Sequence, residues 1–291
     1  MSGFSFEGRL AFISGGASGI GRALAEAVVA KGGRVAIGDV DLDKATEVAA
    51  SLSNTARAYA CDVRDYAALA ALAEQIETEL GPVDIAFANA GIALNGPVLD
   101  ADPAAVDRIV AVNFKGVWAV AAVFGQRMVA RGSGRLCLTG SEHSFGLPHP
   151  GSGIYTATKH AVIGLADAIR PELPEGVGIS VLCPGLVSTE LYDDGRYDPQ
   201  PKDDPRIDFR RALLEHGVDP AHVAAKALAG VERGDFIIPT HGHSRTIAEL
   251  RYEEIRAGFA AHAPEIADAD KYDVNLVAAA MVAKMQVGPA A

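Results

Sequence analysis

Short apolar runs alternate with longer stretches of helical periodicity along most of the chain. Six of these runs have the length and the flanking residues of buried strands, at residues 10–14, 34–39, 56–61, 83–88, 135–139 and 179–183. Between them, small and branched apolar residues recur at helical spacing, as at residues 21–31 and 42–52. Strands that alternate with helices at this spacing predict a parallel sheet with helices on both faces.

The pattern changes after Thr189. Residues 191–205 are rich in Asp, Pro, Tyr and Gly and show little periodicity, which is typical of a surface loop. Long loops in compact α/β domains often act as lids over a binding site. We therefore expect a mobile substrate lid over about residues 191–214.

The last third of the chain returns to regular patterns. Residues 236–239 predict a final strand, and Pro239 suits the edge of a sheet because it lacks an N–H to donate. Helical patterns follow at residues 245–259 and 273–284. Since no linker separates a second domain, we predict a single doubly wound α/β domain with its core at residues 6–240 and a helical extension at residues 241–291.

The composition limits the classes of function. Of 291 residues, 49% are hydrophobic and 22% charged, and the formal net charge is −11. An acidic surface disfavours nucleic acid and anionic membranes as partners. No secretory signal opens the chain, and no apolar run approaches the length of a membrane span, so we expect a cytoplasmic protein. Cys61, Cys137 and Cys183 stand apart among apolar neighbours, which indicates buried thiols and no metal site.

A glycine-rich turn directly follows the first predicted strand. It reads Gly15-Gly16-Ala17-Ser18-Gly19-Ile20-Gly21 and leads into a helix. Glycines permit a tight turn and a close approach of a pyrophosphate, and a helix N-terminus attracts its charge. Asp39 ends the second predicted strand, where a carboxylate can accept hydrogen bonds from the ribose hydroxyls of adenosine and repel a 2′-phosphate. This arrangement favours NAD over NADP.

Tyr155 and Lys159 are four residues apart, so on a helix they share one face. A free phenol has a pKa of about 10, too high for a base at neutral pH. A neighbouring ammonium stabilises the phenolate and makes the tyrosine a usable acid/base. The spacing alone is common on protein surfaces, and the glycine-rich turn upstream makes the catalytic interpretation the stronger one.

Together these motifs resemble the classical short-chain dehydrogenase/reductase family over roughly residues 6–240. Gly15, Gly19 and Gly21 have the family's glycine spacing, and residues 88–91 match its Asn-Asn-Ala-Gly motif with Ala in the first place. Ser14 stands where the family usually has Thr. The resemblance implies a Rossmann-like fold that binds NAD through Gly15, Ser18, Gly19, Ile20, Gly21, Asp39, Asp62, Val63, Asn89, Gly91, Tyr155, Lys159, Pro184, Gly185, Val187 and Thr189.

In this family, residues 183–189 would hold the nicotinamide carboxamide, and four catalytic residues would be Asn113, Ser141, Tyr155 and Lys159. Lys159 would also hold the nicotinamide ribose hydroxyls. Asn113 would hold a water that links Lys159 to solvent; the alternative is a structural Asn that distorts its helix, and the two roles are compatible. Ser141 would donate to the substrate oxygen.

One spacing departs from the family pattern. The usual serine lies 13 residues before the tyrosine, where this chain has Glu142. We therefore expect a one-residue insertion in residues 145–154, with Ser144 as the rival to Ser141. His143 or His149 could touch substrate, and we interpret the remaining histidines as loop or packing residues.

The resemblance implies a dehydrogenase or ketone reductase that transfers a hydride between NAD and a secondary alcohol or ketone. An alternative is a catalytically silent NAD-binding sensor or scaffold of the same fold; a sugar-nucleotide epimerase or dehydratase would have different glycine spacing. Phe145, Leu147, Leu191 and Tyr192 suggest an apolar or aromatic substrate, and the C-terminal segment weakly resembles dehydrogenases of benzylic alcohols. Family members are usually homodimers or homotetramers, here through the helical stretches at residues 104–131 and 155–173.

Overall fold

The computed structural model describes residues 3–146, 151–191, 205–263 and 269–286. The chain divides into two compact units, residues 1–248 and 249–291, and the sheet lies in the first. Residues 147–150 and 192–204 lie outside the described residues, so the middle of the predicted lid and His149 do as well.

Seven parallel strands form one sheet in the order β3-β2-β1-β4-β5-β6-β7. The strands are β1 Leu10–Ser14, β2 Arg34–Asp39, β3 Ala56–Ala60, β4 Ile85–Ala88, β5 Gly134–Thr139, β6 Val177–Cys183 and β7 Ile237–Pro239. All seven predicted strands are confirmed to within two residues. Pro239 belongs to the edge strand, as its missing N–H requires.

Helices cover both faces of this Rossmann-like sheet, which confirms the predicted fold class. The helices of the first unit are α1 Gly19–Ala30, α2 Leu42–Ser51, α3 Tyr66–Leu80, α4 Pro103–Val110, α5 Val117–Arg131, α6 Gly153–Ile169, α7 Pro205–Glu215 and α8 Pro220–Arg233. Helix α9, Ser244–His262, begins in the first unit and continues into the second, which contains α10, Val274–Gln286. Successive residues of β1 enter opposite cores: Leu10 and Phe12 pack on one face, and Ala11 and Ile13 on the other.

A π-helical segment, Ala111–Gly116, joins α4 to α5. The continuous run Pro103–Arg131 is long and apolar enough to cross a membrane by length and composition, but 61% of its most apolar window is buried inside the protein, as in a core helix. The three cysteines are buried, and burial raises the pKa of each thiol to about 12. The three cysteines are therefore buried thiols, as predicted.

The structure can be compared with the sequence-based predictions in two further regions, the lid and the C-terminal segment. Residues 205–215 form helix α7 at the end of the predicted lid, a helix that the sequence analysis did not predict. The two predicted C-terminal helices are confirmed as α9 and α10. The described side chains of α10, residues 274–284, are exposed, although most of them are apolar.

The strand order reverses between β1 and β4, because β1 connects to β2 on one side and the later strands lie on the other. Such a reversal opens a crevice at the carboxyl ends of the strands, where ligands of doubly wound proteins bind. The Ser14 hydroxyl connects the ends of β1 and β4 at this point by hydrogen bonds. It accepts hydrogen bonds from the Asn89 and Ala90 N–H groups at 3.0 and 3.2 Å and donates to the Phe87 carbonyl at 3.3 Å.

We expect Ser14→Ala to lower the free energy of unfolding by about 1–3 kcal/mol, because it leaves buried N–H groups without their acceptor. Urea denaturation measures this effect. Ser51→Ala, at an exposed residue in the last turn of α2, is the matched control and should change stability by less than about 0.5 kcal/mol. If both variants unfold at the wild-type urea concentration, Ser14 does not hold the two strand ends together.

Candidate active site

A cavity of about 940 Å³ lies at the carboxyl ends of the strands, where the crevice is expected. Sixteen of the predicted site residues line it: Gly15, Ser18, Gly19, Ile20, Asp39, Asp62, Val63, Asn89, Gly91, Ser141, Tyr155, Lys159, Pro184, Gly185, Val187 and Thr189. Gly21 and Asn113 are the predicted residues that lie behind its wall. The motifs are far apart in the sequence, and the parallel sheet brings them to one edge.

The glycine-rich turn has the geometry of an anion-binding loop. Gly15 and Gly19 have φ of +66° and +49°, values that favour glycine. A Cβ on Gly21 would collide with the carbonyl oxygen of Gly15, so Gly21 allows the helix to pack directly beneath the turn. Ser18 precedes α1, and within the described part of the chain no side chain caps this helix start. Its N–H groups therefore suit a pyrophosphate.

Asn89 supports this turn from below. Its amide nitrogen donates to the carbonyls of Ser14 and Gly15, both at 3.2 Å. Its amide oxygen accepts from the Thr139 hydroxyl at 3.4 Å. Asn89 therefore fixes the phosphate-binding turn against the ends of β4 and β5.

Asp39 lies at the other end of the cavity, and both of its oxygens are engaged with the main chain. They accept from the N–H groups of Ala17 and Asp41, each at 3.0 Å. The carboxylate thus braces the glycine-rich turn, and carboxylate oxygens can accept further hydrogen bonds from a ribose. The residues present fit the adenosine ribose and pyrophosphate of a dinucleotide.

Two cations that the sequence analysis did not consider also line this end. Lys44 forms an ion pair with Glu190 at 2.6 Å, and the Arg64 guanidinium bonds both oxygens of Asp62, the shortest contact being 2.6 Å. Hydrogen bonding to Arg64 lowers the pKa of Asp62 below its usual value. Each cation therefore has a carboxylate partner near the place where Asp39 would meet the ribose.

Tyr155 and Lys159 lie on α6 and face the cavity together. The Lys159 Nζ is 5.6 Å from the centroid of the Tyr155 ring and donates to the Thr139 carbonyl at 2.9 Å. Lys159 is only 3% exposed, and burial lowers its pKa from 10.5 to about 8. The ammonium form still predominates at neutral pH, so a positive charge lies beside the phenol.

The two rival serines have different surroundings. The Ser144 hydroxyl donates to the Lys159 carbonyl at 2.7 Å and accepts from the Ser141 N–H at 3.2 Å, so its one proton is committed inside the protein. Ser141 lines the cavity, and its hydroxyl accepts from the His143 N–H at 3.3 Å. The proton of that hydroxyl makes only a long 3.4 Å bond, to the Pro184 carbonyl, among the described residues. These contacts favour Ser141 as the group that can reach a substrate.

Asn113 has a structural role, which the sequence analysis allowed beside the catalytic one. Its fully buried side chain exchanges two hydrogen bonds with the main chain of Ile92, both at 2.9 Å, and also donates to the Thr158 hydroxyl at 3.3 Å. Both amide hydrogens are thereby engaged. Asn113 fixes the loop after β4 beside Lys159, and its predicted role in holding a water stays a prediction.

His143 lines the cavity next to Tyr155, with the two rings edge to face at 5.2 Å. Its Nδ1 lies 2.7 Å from the Thr156 hydroxyl, which itself donates to the Ser152 carbonyl at 2.9 Å. Since that hydroxyl has only one proton, the Nδ1 of His143 must carry the hydrogen between them. The position is compatible with the predicted substrate contact.

His241, which the sequence analysis placed among packing residues, contacts the cavity wall directly. The Gly185 N–H donates to its Nδ1 at 3.0 Å, and its Nε2 lies 3.0 Å from the Leu186 carbonyl. His243 pairs with buried Glu142 at 2.7 Å on the same side. The one signal in the sequence was the position of His241 just after the last predicted strand, at the edge where the other site residues gather.

Comparisons with known proteins agree with this site. The family model described as short chain dehydrogenase matches residues 9–199. The chain is 35% identical over 215 residues to Probable oxidoreductase EphD of Mycobacterium tuberculosis, a match that covers 72% of this chain and 36% of that protein. The chain thus spans little more than a third of the length of these mycobacterial relatives.

Two further proteins match over most of their length. D-threitol dehydrogenase of Mycolicibacterium smegmatis is 31% identical over 231 residues, which is 77% of this chain and 86% of the relative. The structure of a short chain dehydrogenase/reductase from Burkholderia phymatum in complex with NAD has a TM-score of 0.82 and 28% identity, covering 87% of this chain and 96% of that one. Solved structures of this fold contain NAD or NADPH. The chain belongs to the short-chain dehydrogenase/reductase family of oxidoreductases.

Proposed function

We propose that this protein is an NAD-dependent dehydrogenase or ketone reductase that acts on a secondary alcohol or ketone. The observation that carries the proposal is the buried Lys159 ammonium beside the Tyr155 ring. Among the described residues no carboxylate pairs with Lys159, so its charge remains available to stabilise a phenolate at Tyr155.

Different residues transfer the proton, stabilise the phenolate and bind the substrate oxygen. NAD, when bound, supplies the acceptor for the hydride. Tyr155 takes the proton of the alcohol in oxidation and returns it in reduction, and Lys159 stabilises the anionic form of Tyr155. Ser141 donates a hydrogen bond to the substrate oxygen, where negative charge develops. Asn113 and Ser144 position this group through the loop after β4 and the main chain of α6.

The cavity wall supports an apolar or aromatic substrate. Leu191, Phe209 and Leu213 line the cavity, and Phe209 is 69% exposed, so its ring is available to a ligand. Phe145 packs against the hydrophobic core instead, while Leu147 and Tyr192 lie outside the described residues. The D-threitol dehydrogenase relative supports a substrate carbon that bears a hydroxyl group. NADH formation measured with NAD and a panel of aliphatic, aromatic and polyhydroxy alcohols tests the proposal and identifies the substrate class.

We expect Tyr155→Phe to lower the turnover rate by about 10²–10⁴-fold, because the change keeps the ring and removes the proton carrier. NADH binding, measured by fluorescence, should remain within a few-fold of wild type. Tyr66→Phe is the matched control, since Tyr66 stacks on Trp118 away from the cavity. A Tyr155→Phe rate above about a tenth of wild type would remove Tyr155 from the acid/base role. Complete absence of turnover by the wild-type protein would favour the silent NAD-binding alternative.

We expect the wild-type protein to prefer NAD, and Asp39→Asn to reduce the ratio of kcat/KM for NAD over NADP by about tenfold or more. The substitution removes the charge that repels a 2′-phosphate and weakens the charged hydrogen bonds to a ribose, which contribute about 1.5–3 kcal/mol each. Asp43→Asn, on the exposed first turn of α2, is the control for a general change in charge. A wild-type preference for NADP would show that the interpretation of Asp39 is wrong.

We expect Ser141→Ala to lower kcat much more than Ser144→Ala, by about 10²-fold, which is the usual loss for one oxyanion donor. Ser144→Ala should mainly lower thermal stability, since its hydroxyl bonds two main-chain groups. Steady-state kinetics and thermal unfolding of both variants separate the two roles. A larger loss of kcat in Ser144→Ala would reverse the assignment and the proposed insertion.

A further inference from the structure

His241 connects the last strand of the sheet to the reactive end of the cavity. It follows β7 by two residues, and its ring lies against the segment Pro184–Gly185–Leu186 that follows β6. The Gly185 N–H donates to Nδ1, and the ring's other nitrogen, Nε2, faces the Leu186 carbonyl, both at 3.0 Å. One side chain thus holds two consecutive residues of the cavity wall.

The hydrogen bonds specify the tautomer of this ring. An N–H can only donate, so Nδ1 must accept from Gly185; a carbonyl can only accept, so Nε2 must carry the hydrogen that bonds Leu186. The Thr240 hydroxyl lies 2.8 Å from Nδ1 and donates to the same atom. The neutral Nε2–H tautomer therefore satisfies every contact of the ring.

Other hydrogen bonds and close packing also restrict the main chain of the segment that His241 contacts. The Pro184 carbonyl accepts from the Glu142 N–H at 2.7 Å, and the Leu186 carbonyl also accepts from the Val218 N–H at 3.0 Å. A Cβ on Gly185 would lie 2.7 Å from Glu142 Oε2 and 2.8 Å from the Cγ of His241. Gly185 is therefore packed against these two side chains, and its position depends on theirs.

The held segment adjoins the reacting groups. The Ser141 hydroxyl donates to the Pro184 carbonyl at 3.4 Å, and Gly185, Leu186 and Val187 line the same cavity as Tyr155. The pyrophosphate-binding turn lies at the start of α1. Since the hydride must move close to Tyr155 and Ser141, the end of the cofactor that reacts lies on the side of the cavity formed by this segment.

We propose that His241 is a positioning residue for the nicotinamide end of the cofactor, which it fixes by locking the main chain of Gly185 and Leu186 from behind. This inference rests on the proposed NAD-dependent function. Among the described residues the hydrogen bonds of His241 reach neither the glycine-rich turn nor Asp39, so its effect should be greatest at the nicotinamide end of a bound dinucleotide.

Titration calorimetry of the whole protein with NADH and with ADP-ribose tests the proposal. It measures the two binding affinities and does not depend on turnover. ADP-ribose has the adenosine, the pyrophosphate and a second ribose but lacks the nicotinamide. His241→Phe keeps a ring and loses both hydrogen bonds, so it should weaken NADH binding by about tenfold or more and leave ADP-ribose binding within about twofold. His222→Phe, on exposed residues of α8, is the matched control and should change neither affinity.

Two conservative variants show which bond matters and guard against a Phe variant that fails to fold. In His241→Asn the amide oxygen can replace Nδ1 as the acceptor for Gly185, and in His241→Gln the amide nitrogen can replace Nε2 as the donor to Leu186. Each variant should restore part of the NADH affinity that His241→Phe loses. If His241→Phe does not fold, each of these variants should still bind NADH less tightly than the wild-type protein does, while it binds ADP-ribose with wild-type affinity.

Equal weakening of both ligands in the His241 variants, or no change in either, would overturn the positioning role. A wild-type protein that binds neither NADH nor ADP-ribose would instead overturn the proposed cofactor itself. The two failures are therefore distinguishable in a single set of titrations.

Discussion

The reversal of strand order between β1 and β4 is the constraint on which the rest of the site depends. Each strand of a parallel sheet ends on the same edge, and the reversal separates the connections on the two sides so that a cleft opens there. The loops after all seven strands reach this edge, from the glycine-rich turn after β1 to His241 after β7. The polar residues of the site, which follow different strands in the sequence, therefore lie together at this edge of the sheet.

The cleft contains a buried positive charge. Placing an ammonium away from water is costly, and the pKa of Lys159, lowered to about 8, reflects this cost. The Thr139 carbonyl compensates part of it, and the Ser144 hydroxyl holds the main chain of the same residue. The charge is therefore kept near Tyr155 by the strand and the helix rather than by a carboxylate that would neutralise its effect on the phenol.

The sequence predicts most of this architecture because periodicity and glycine placement are local properties. Each buried strand is a short apolar run, and Gly15 and Gly19 are required by the local φ of a tight turn. The hydrogen-bond partners of Asn113 and the role of His241 were not predictable, since only the folded chain brings Ile92 and Gly185 near them. The choice between Ser141 and Ser144 was ambiguous by spacing, and the contacts of the Ser144 hydroxyl favour Ser141. Helix α7 was not predicted, because residues 191–214 were assigned to a lid on the basis of the Asp-, Pro-, Tyr- and Gly-rich run with which they begin.

The burial of the cysteines has a practical consequence for spectroscopy. All three thiols of the chain lie in the interior, and their raised pKa keeps the nucleophilic thiolate scarce at neutral pH. The natural chain thus offers a low background to maleimide dyes and spin labels. Cysteines introduced at two exposed positions that do not line the cavity, such as Glu215 of α7 and Ser51 of α2, would be labelled selectively, and the distance between the two labels could be followed as ligands are added.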